Sequence, residues 1–141
     1  MPSVEMTVAD IMSTDVVTMI EDETLAHAKS CMDRGRIRHL PVVHDRKLVG
    51  LVTHRDLLAA SFSIFAEIEP AEQRRVFVTV PVAEAMHRDL VTVSPEDSVA
   101  DAARILLDNK YGCLPVVGDN GDLLGIVTEA DFLRLTVRLL A

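Results

Sequence analysis

The chain has no tryptophan, and aromatic residues fill only 4% of its 141 positions. An interior without large rings has to be built from Val, Leu, Ile, Ala and Met, which dominate the 49% hydrophobic content. Such a core packs helices and strands against each other and offers no stacked cage for a planar cofactor. Cysteine is as scarce. Cys31 and Cys113 stand far apart with neither a CxxC nor a Cys/His ligand spacing. That speaks against a disulfide framework and a zinc site, and leaves each thiol as a small core filler. Basic residues are too few for duplex nucleic acid: 14 Lys and Arg face 22 Asp and Glu, a formal charge of −8, whereas a duplex binder needs a cationic face to displace counterions. No stretch reaches the roughly 18 uncharged apolar residues of a membrane span. The opening "MPSVEMTVADIM" carries Glu5 and Asp10 where a secretory leader would carry basic and then apolar residues. These absences predict a cytoplasmic location and no membrane partner.

What the chain does have is a phrase written twice, "HLPVVHDRKLVGLVTHRD" from His39 and "CLPVVGDNGDLLGIVTEAD" from Cys113. The match is wider than the phrase. From Val8 over Val82 the register holds at an offset of 74 residues to Asp45 and Asp119, and one extra residue in the second turn shifts it to 75 as far as Leu58 and Leu133; 19 of 51 paired positions are identical. An internal duplication is read before anything else. It divides the chain into a first repeat over 1–60, a connector over 61–80 and a second repeat over 81–141. A chain of 15.5 kDa is too short for two conventional domains, so the repeats are expected to share a core.

Each copy predicts the same elements. A helical turn over Val8 to Met12, or Val82 to Met86, precedes an extended "DVVTM" or "DLVTV". A helix follows, clearest in the second copy, where Ser98 can cap, Asp101 stands three residues on, and Val99, Ala102, Ala103, Leu106 and Leu107 share one face. Next, "LPVV" and "LVGLVT" or "LLGIVT" read as a hairpin closed by HDRK or GDNGD. A second helix begins at "THRD" or "TEAD". With only three strands per copy, neither half buries both faces of its sheet alone, which predicts an α+β fold of two repeats packed sheet to sheet with approximate twofold symmetry. In the connector, Phe62, Phe65 and Ile68 fall at helical spacing and are expected to finish the core or a subunit contact.

The whole repeat resembles the CBS domain in tandem, a CBS pair or Bateman module. The residues that carry the likeness are "VADIMSTDVVTM", "TLAHAKSCMDRGRIRHLPVV" and "LVGLVTHRDLL" in the first copy and "VAEAMHRDLVTV", "SVADAARILLDNKYGCLPVV" and "LLGIVTEADFL" in the second. The resemblance implies βαββα units and clefts between them that take adenosine-containing ligands such as AMP, ADP, ATP or S-adenosylmethionine. It also implies a homodimer of pairs, and regulation of a partner enzyme or transporter rather than chemistry of the chain's own. No enzyme is attached here, so a stand-alone CBS-pair protein is expected, with no obligatory cofactor.

The candidate ligand residues follow from both readings. Thr53 and Asp56, like Thr128 and Asp131, lie three apart where a strand turns into a helix. Helix-start N–H groups suit an anion, and a carboxylate one turn in suits the two ribose hydroxyls. The same spacing is that of a capping box, which needs no ligand, and the two roles can coexist. Pro41 and Pro115 lack the N–H that would complete a strand on one side and so leave backbone groups free nearby. Family resemblance puts the adenine edge there and near "VVTM" and "LVTV", which hold Thr18 and Thr92, with Leu51 and Ile126 as apolar walls.

The two copies are not equal. Residues 1–58 carry 7 basic and 9 acidic side chains, and 82–141 carry 5 and 10. Around the first Thr stand Arg36, Arg38, His39, His54 and Arg55, where the second copy has Lys110, Gly112, Cys113, Glu129 and Ala130. A phosphorylated ligand is therefore expected at the first copy. Two rival functions stay open: a ligand-free interaction or dimerisation module, and a small enzyme. The last is disfavoured because the residues offer no nucleophile with a base and orienting group and no metal set. The five histidines, His27, His39, His44, His54 and His87, read as solvent-facing or as neighbours of phosphate.

Overall fold

The computed structural model describes residues 5–65 and 69–141. Its elements in chain order are α1 (Val8–Ile11), α2 (Leu25–Gly35), β1 (His39–His44), β2 (Lys47–Thr53), α3 (His54–Phe65), α4 (Pro70–Phe77), a 3-10 turn over Val82–Glu84, α5 (Val99–Asn109), β3 (Cys113–Val117), β4 (Leu123–Thr128) and α6 (Glu129–Leu140). This is the α+β composition that the duplication predicts, with one small antiparallel sheet for each copy.

The helices start and stop where side chains satisfy their ends. Thr24 Oγ1 accepts from His27 N–H at 3.2 Å to begin α2, and Ser98 Oγ accepts from Asp101 N–H at 3.0 Å to begin α5. Both helices end on a left-handed residue, Arg36 at φ 51° and Lys110 at φ 56°, equivalent positions that turn the chain into its hairpin. In α5 the buried side chains are Ala102 and Leu106; Leu107, which the spacing assigned to the same face, is 78% exposed. The face is narrower than five apolar residues suggest.

The first hairpin closes through Asp45 and Arg46, at φ 49° and 70°, so that both central residues of a two-residue loop are left-handed, as the twist of paired strands demands. The second closes through the longer Gly118–Asp122 turn, with Gly121 at φ 88°. This turn holds the inserted residue that changes the repeat offset. Both hairpins bulge at the same place, after Val42 and after Val116.

The third strand of each copy is cut to one residue. Met19 makes a single parallel bridge to Val42 and Val93 one to Val116. Met19 N–H donates to Pro41 O at 3.0 Å and Val43 N–H donates to Met19 O at 2.8 Å; the corresponding pair at Val93 measures 3.1 and 2.9 Å. The next ladder bond would need an N–H on Pro41 or Pro115, and proline has none, so pairing stops there.

The chain divides into two compact units, Val17–Leu90 and the residues up to Val16 joined by Val91–Ala141. These cuts differ from the limits of the duplication. The leading segment of each repeat packs on the hairpin of the other copy: Ser13 pairs with Ile126, and His87 with Leu51. The core of the Val17–Leu90 unit includes Met19, Leu25, Leu40, Val42, Val52 and Val82. That of the second includes Val8, Val93, Leu114, Val116 and Val127. Each such side chain, fully buried, contributes about 1.5–3 kcal/mol. Cys113 is buried and Cys31 half-buried, as small fillers would be. Phe62, Phe65 and Ile68, expected to complete a core or contact, lie outside the described side chains. Among the described residues no helix is long and apolar enough to cross a membrane.

Candidate functional site

Each hairpin ends in a threonine that also begins a helix, and the sequence candidates other than Thr18 and Thr92 lie in or beside the strands that meet at these two corners. In the Val17–Leu90 unit the register sets His39 opposite Thr53, and His54 N–H donates to Arg38 O at 2.8 Å. Thr53 N–H donates to Asp56 Oδ2 at 2.8 Å while Asp56 N–H donates to Thr53 Oγ1 at 3.2 Å, a complete capping box. The other carboxylate oxygen, Oδ1, lies 2.6 Å from His87 Nε2. His87 is brought there by its backbone, which exchanges two 2.9 Å hydrogen bonds with Leu51. Arg38, His54 and Arg55 present exposed side chains, and the ion pairs among the described residues involve none of them.

The second corner repeats the frame with different side chains. Cys113 stands opposite Thr128, and Thr128 N–H donates to Asp131 Oδ2 at 2.8 Å, with Thr128 Oγ1 donating to the same oxygen at 3.3 Å. Asp131 Oδ1 accepts from Arg134 at 2.9 Å. Arg134 lies one turn along α6, so this aspartate is paired within its own helix. Burial pushes the Cys113 thiol up to about 12. It is therefore an apolar filler at neutral pH and no nucleophile. Glu129 and Ala130 are exposed where the first corner has His54 and Arg55.

The capping role weighed from the spacing is thus realised in both copies. A third Thr-x-x-Asp step, Thr7 to Asp10, makes the same N–H to carboxylate bond at 2.9 Å with no hairpin end beside it. The box alone therefore does not define a site; its neighbours do. Thr18 and Thr92 sit one residue before Met19 and Val93, where the parallel pairing stops. The main-chain groups of Val17, Thr18, Val91 and Thr92 have no hydrogen bond among the described residues. Leu51 and Ile126, each 9% exposed, are largely buried walls of their hairpins.

Two residues at these corners, Arg134 and His87, pair with the aspartates in a way that the sequence reading did not assign. Arg134 was legible, since an arginine three residues after an aspartate on a helix pairs with it. His87 was not, because it approaches Asp56 across 31 residues. The signal that points to it is Gly50, whose hypothetical Cβ would meet Met86 Sδ at 2.5 Å and His87 O at 3.2 Å. A glycine in mid-strand marks a backbone passing close by.

A fold of two hairpins, each ending in a capped Thr-x-x-Asp corner, defines a tandem CBS pair, and the comparisons with known proteins agree. The chain belongs to the CBS domain family, whose model matches residues 8–63 and 82–138. A solved structure from Vibrio cholerae, described as an acetoin utilization protein (AcuB), is 35% identical and superposes with a TM-score of 0.82 over 97% of this chain and 94% of that one. CBSX2 in complex with AMP is 28% identical, with a TM-score of 0.80 over 96% and 98%; CBSX2 is a CBS-pair protein from Arabidopsis thaliana. The CBS domain pair of protein MJ0100, in complex with 5′-methylthioadenosine and S-adenosyl-L-methionine, is 27% identical, with a TM-score of 0.77 over 95% and 98%. The uncharacterized protein MJ1225 of Methanocaldococcus jannaschii is 34% identical over 89% of this chain, which spans 45% of that protein's length.

Proposed function

We propose that this chain is a regulatory module that binds an adenosine-containing nucleotide at the Thr53/Asp56 and Thr128/Asp131 corners and passes its bound state to a partner enzyme or transporter in the cytoplasm, with no chemistry of its own. The observation that carries the proposal is the Thr53 corner. There a helix start, a recessed carboxylate, the cationic side chains Arg38 and Arg55 and the imidazole of His54 meet at the end of one hairpin. Helix-start N–H groups and arginines suit phosphate, and the aspartate suits a ribose diol. The unpaired main chain around Thr18 and Thr92 offers donors and acceptors for the edge of a base. Similar CBS pairs bound to AMP and to S-adenosyl-L-methionine support the ligand class.

The corners differ in charge, so the first takes AMP, ADP or ATP and the second a weakly charged adenosine compound or none. Thermal unfolding with these ligands tests the class: a ligand at 100 times its dissociation constant adds about 2.7 kcal/mol. Calorimetric titration with ATP tests the assignment. Arg38→Ala and Arg55→Ala are expected to weaken binding about tenfold each, as for loss of a charge-assisted contact, while Glu129→Ala gains or is unchanged. Equal affinity in all three variants ends the case for unequal corners, and no shift with any adenosine compound leaves the interaction-module reading.

A second copy of the chain is the expected partner of α6. Leu133, Val137 and Leu140 are 67%, 66% and 81% exposed and fall at i, i+4 and i+7 along one stripe of that helix. Covering such a stripe removes apolar surface from water. Sedimentation should show a dimer, and Val137→Glu should shift it toward monomer. A monomer at every concentration contradicts the assignment.

A further inference from the structure

We propose that His87 is a specificity-determining residue of the Asp56 corner: its ring covers the carboxylate and gives it up to ligands that bring a phosphate, a role that rests on reading Asp56 as a ribose acceptor. The ring nitrogen Nε2 lies 2.6 Å from Asp56 Oδ1, while Oδ2 is held by Thr53 N–H at 2.8 Å. A carboxylate oxygen only accepts, so Nε2 carries the hydrogen and His87 is the donor. Oδ1 is the oxygen that the helix cap leaves available, and it is the one His87 occupies. A ribose that offers two hydroxyls to this carboxylate has to compete with the ring.

Exposure decides which partner yields. The Asp56 side chain is 13% exposed and fixed by the cap, whereas that of His87 is 62% exposed. The His87 backbone cannot follow a departing ring, because its N–H donates to Leu51 O and its C=O accepts from Leu51 N–H, both at 2.9 Å. The ring therefore leaves by side-chain rotation alone. A donor removed from a carboxylate loses a charge-assisted bond, and the loss counts against binding unless another anion takes it up. Adenosine offers no such anion. A 5′-nucleotide carries phosphate oxygens one methylene from the ribose, and these can accept the same Nε2–H.

The other unit supplies the comparison. Ser13 stands in the place of His87, 74 residues earlier. Its backbone makes the same exchange, Ser13 N–H to Ile126 O and Ile126 N–H to Ser13 O, both at 2.9 Å. The frame is shared and the side chain differs. At that corner Asp131 Oδ1 is held by Arg134 from its own helix, and among the described residues Ser13 makes no hydrogen bond to it.

The test is calorimetric titration of adenosine and of ATP into the parent protein, His87→Ser and His87→Gln. His87→Ser is expected to bind adenosine about tenfold more tightly while ATP gains little, so that the ATP-to-adenosine preference falls about tenfold. His87→Gln keeps an N–H donor and should hold the preference near that of the parent. A preference unchanged in His87→Ser overturns the role of His87 and leaves Asp56 as a ribose acceptor. Failure of the parent and both variants to bind either compound overturns the reading of Asp56 itself. Binding by His87→Ser where the parent binds only ATP supports the proposal most directly.

Discussion

Gly125→Ala is expected to lower the melting temperature by roughly 6–12 °C, a loss of about 2–3 kcal/mol, because the methyl group has nowhere to go. A Cβ at Gly125 would lie 2.7 Å from Ser13 O and 3.0 Å from Met12 Sδ. The nearer obstacle is backbone, pinned by the hydrogen bonds that Ser13 exchanges with Ile126. Relief requires the leading segment to lift off the hairpin, and Val8, buried in the same unit's core, resists that. Gly50→Ala meets a softer obstacle, since its two nearest contacts, Met86 Sδ at 2.5 Å and Cγ at 2.9 Å, belong to an unbranched side chain that can change rotamer, and the backbone atom His87 O is 3.2 Å away. It should cost about 1–2 kcal/mol. Urea unfolding of both variants ranks them; a Gly125→Ala protein as stable as the parent would mean that the segment is held far more loosely than its bonds imply.

Asp56→Asn is expected to weaken binding of an adenosine nucleotide by about 1–3 kcal/mol, roughly 5–150-fold, with little loss of fold. An asparagine has one acceptor oxygen. If that oxygen keeps the 2.8 Å bond from Thr53 N–H, the NH2 group points where Asp56 Oδ1 stood and presents a donor to a ribose that itself donates. Asp131→Asn should cost less in binding and more in stability, because Asp131 is 7% exposed and its second oxygen already serves Arg134. Calorimetry with ribo- and 2′-deoxy forms of one nucleotide reads the effect in the parent protein too. Equal binding of the two forms would reduce both aspartates to helix caps.

Much of this architecture was written locally, and that part was legible. The hairpins follow from short β-branched runs around turn residues, the helix starts from Ser98, Thr53 and Thr128, and the duplication from a constant offset. The third strand was over-read, because "DVVTM" has strand propensity and the limit on its pairing lies in Pro41, more than twenty residues away. Leu107 was placed inside by its spacing, yet only Ala102 and Leu106 of α5 are buried. The Thr-x-x-Asp corners were found from sequence, but their second oxygens were not assigned: His87 reaches Asp56 through a backbone pairing with Leu51 that no local pattern encodes.

The exchange of leading segments bears on the order in which a growing chain can fold. The Val17–Leu90 unit is continuous in sequence, so all of its partners have been synthesised once Leu90 is added. The segment before it emerges first and finds its place last. Val8 N–H waits for Asp97 O, and Ser13 waits for Ile126. At about 5–20 residues per second, those partners trail by several seconds or more, and the loops to be closed span most of the chain. During that interval Val8 and the side chain of Met12 lack the hairpin and helix that they pack against in the finished unit. The polar residues Glu5, Asp10 and Asp15, spaced along this segment, keep it in water until the second hairpin arrives to receive it.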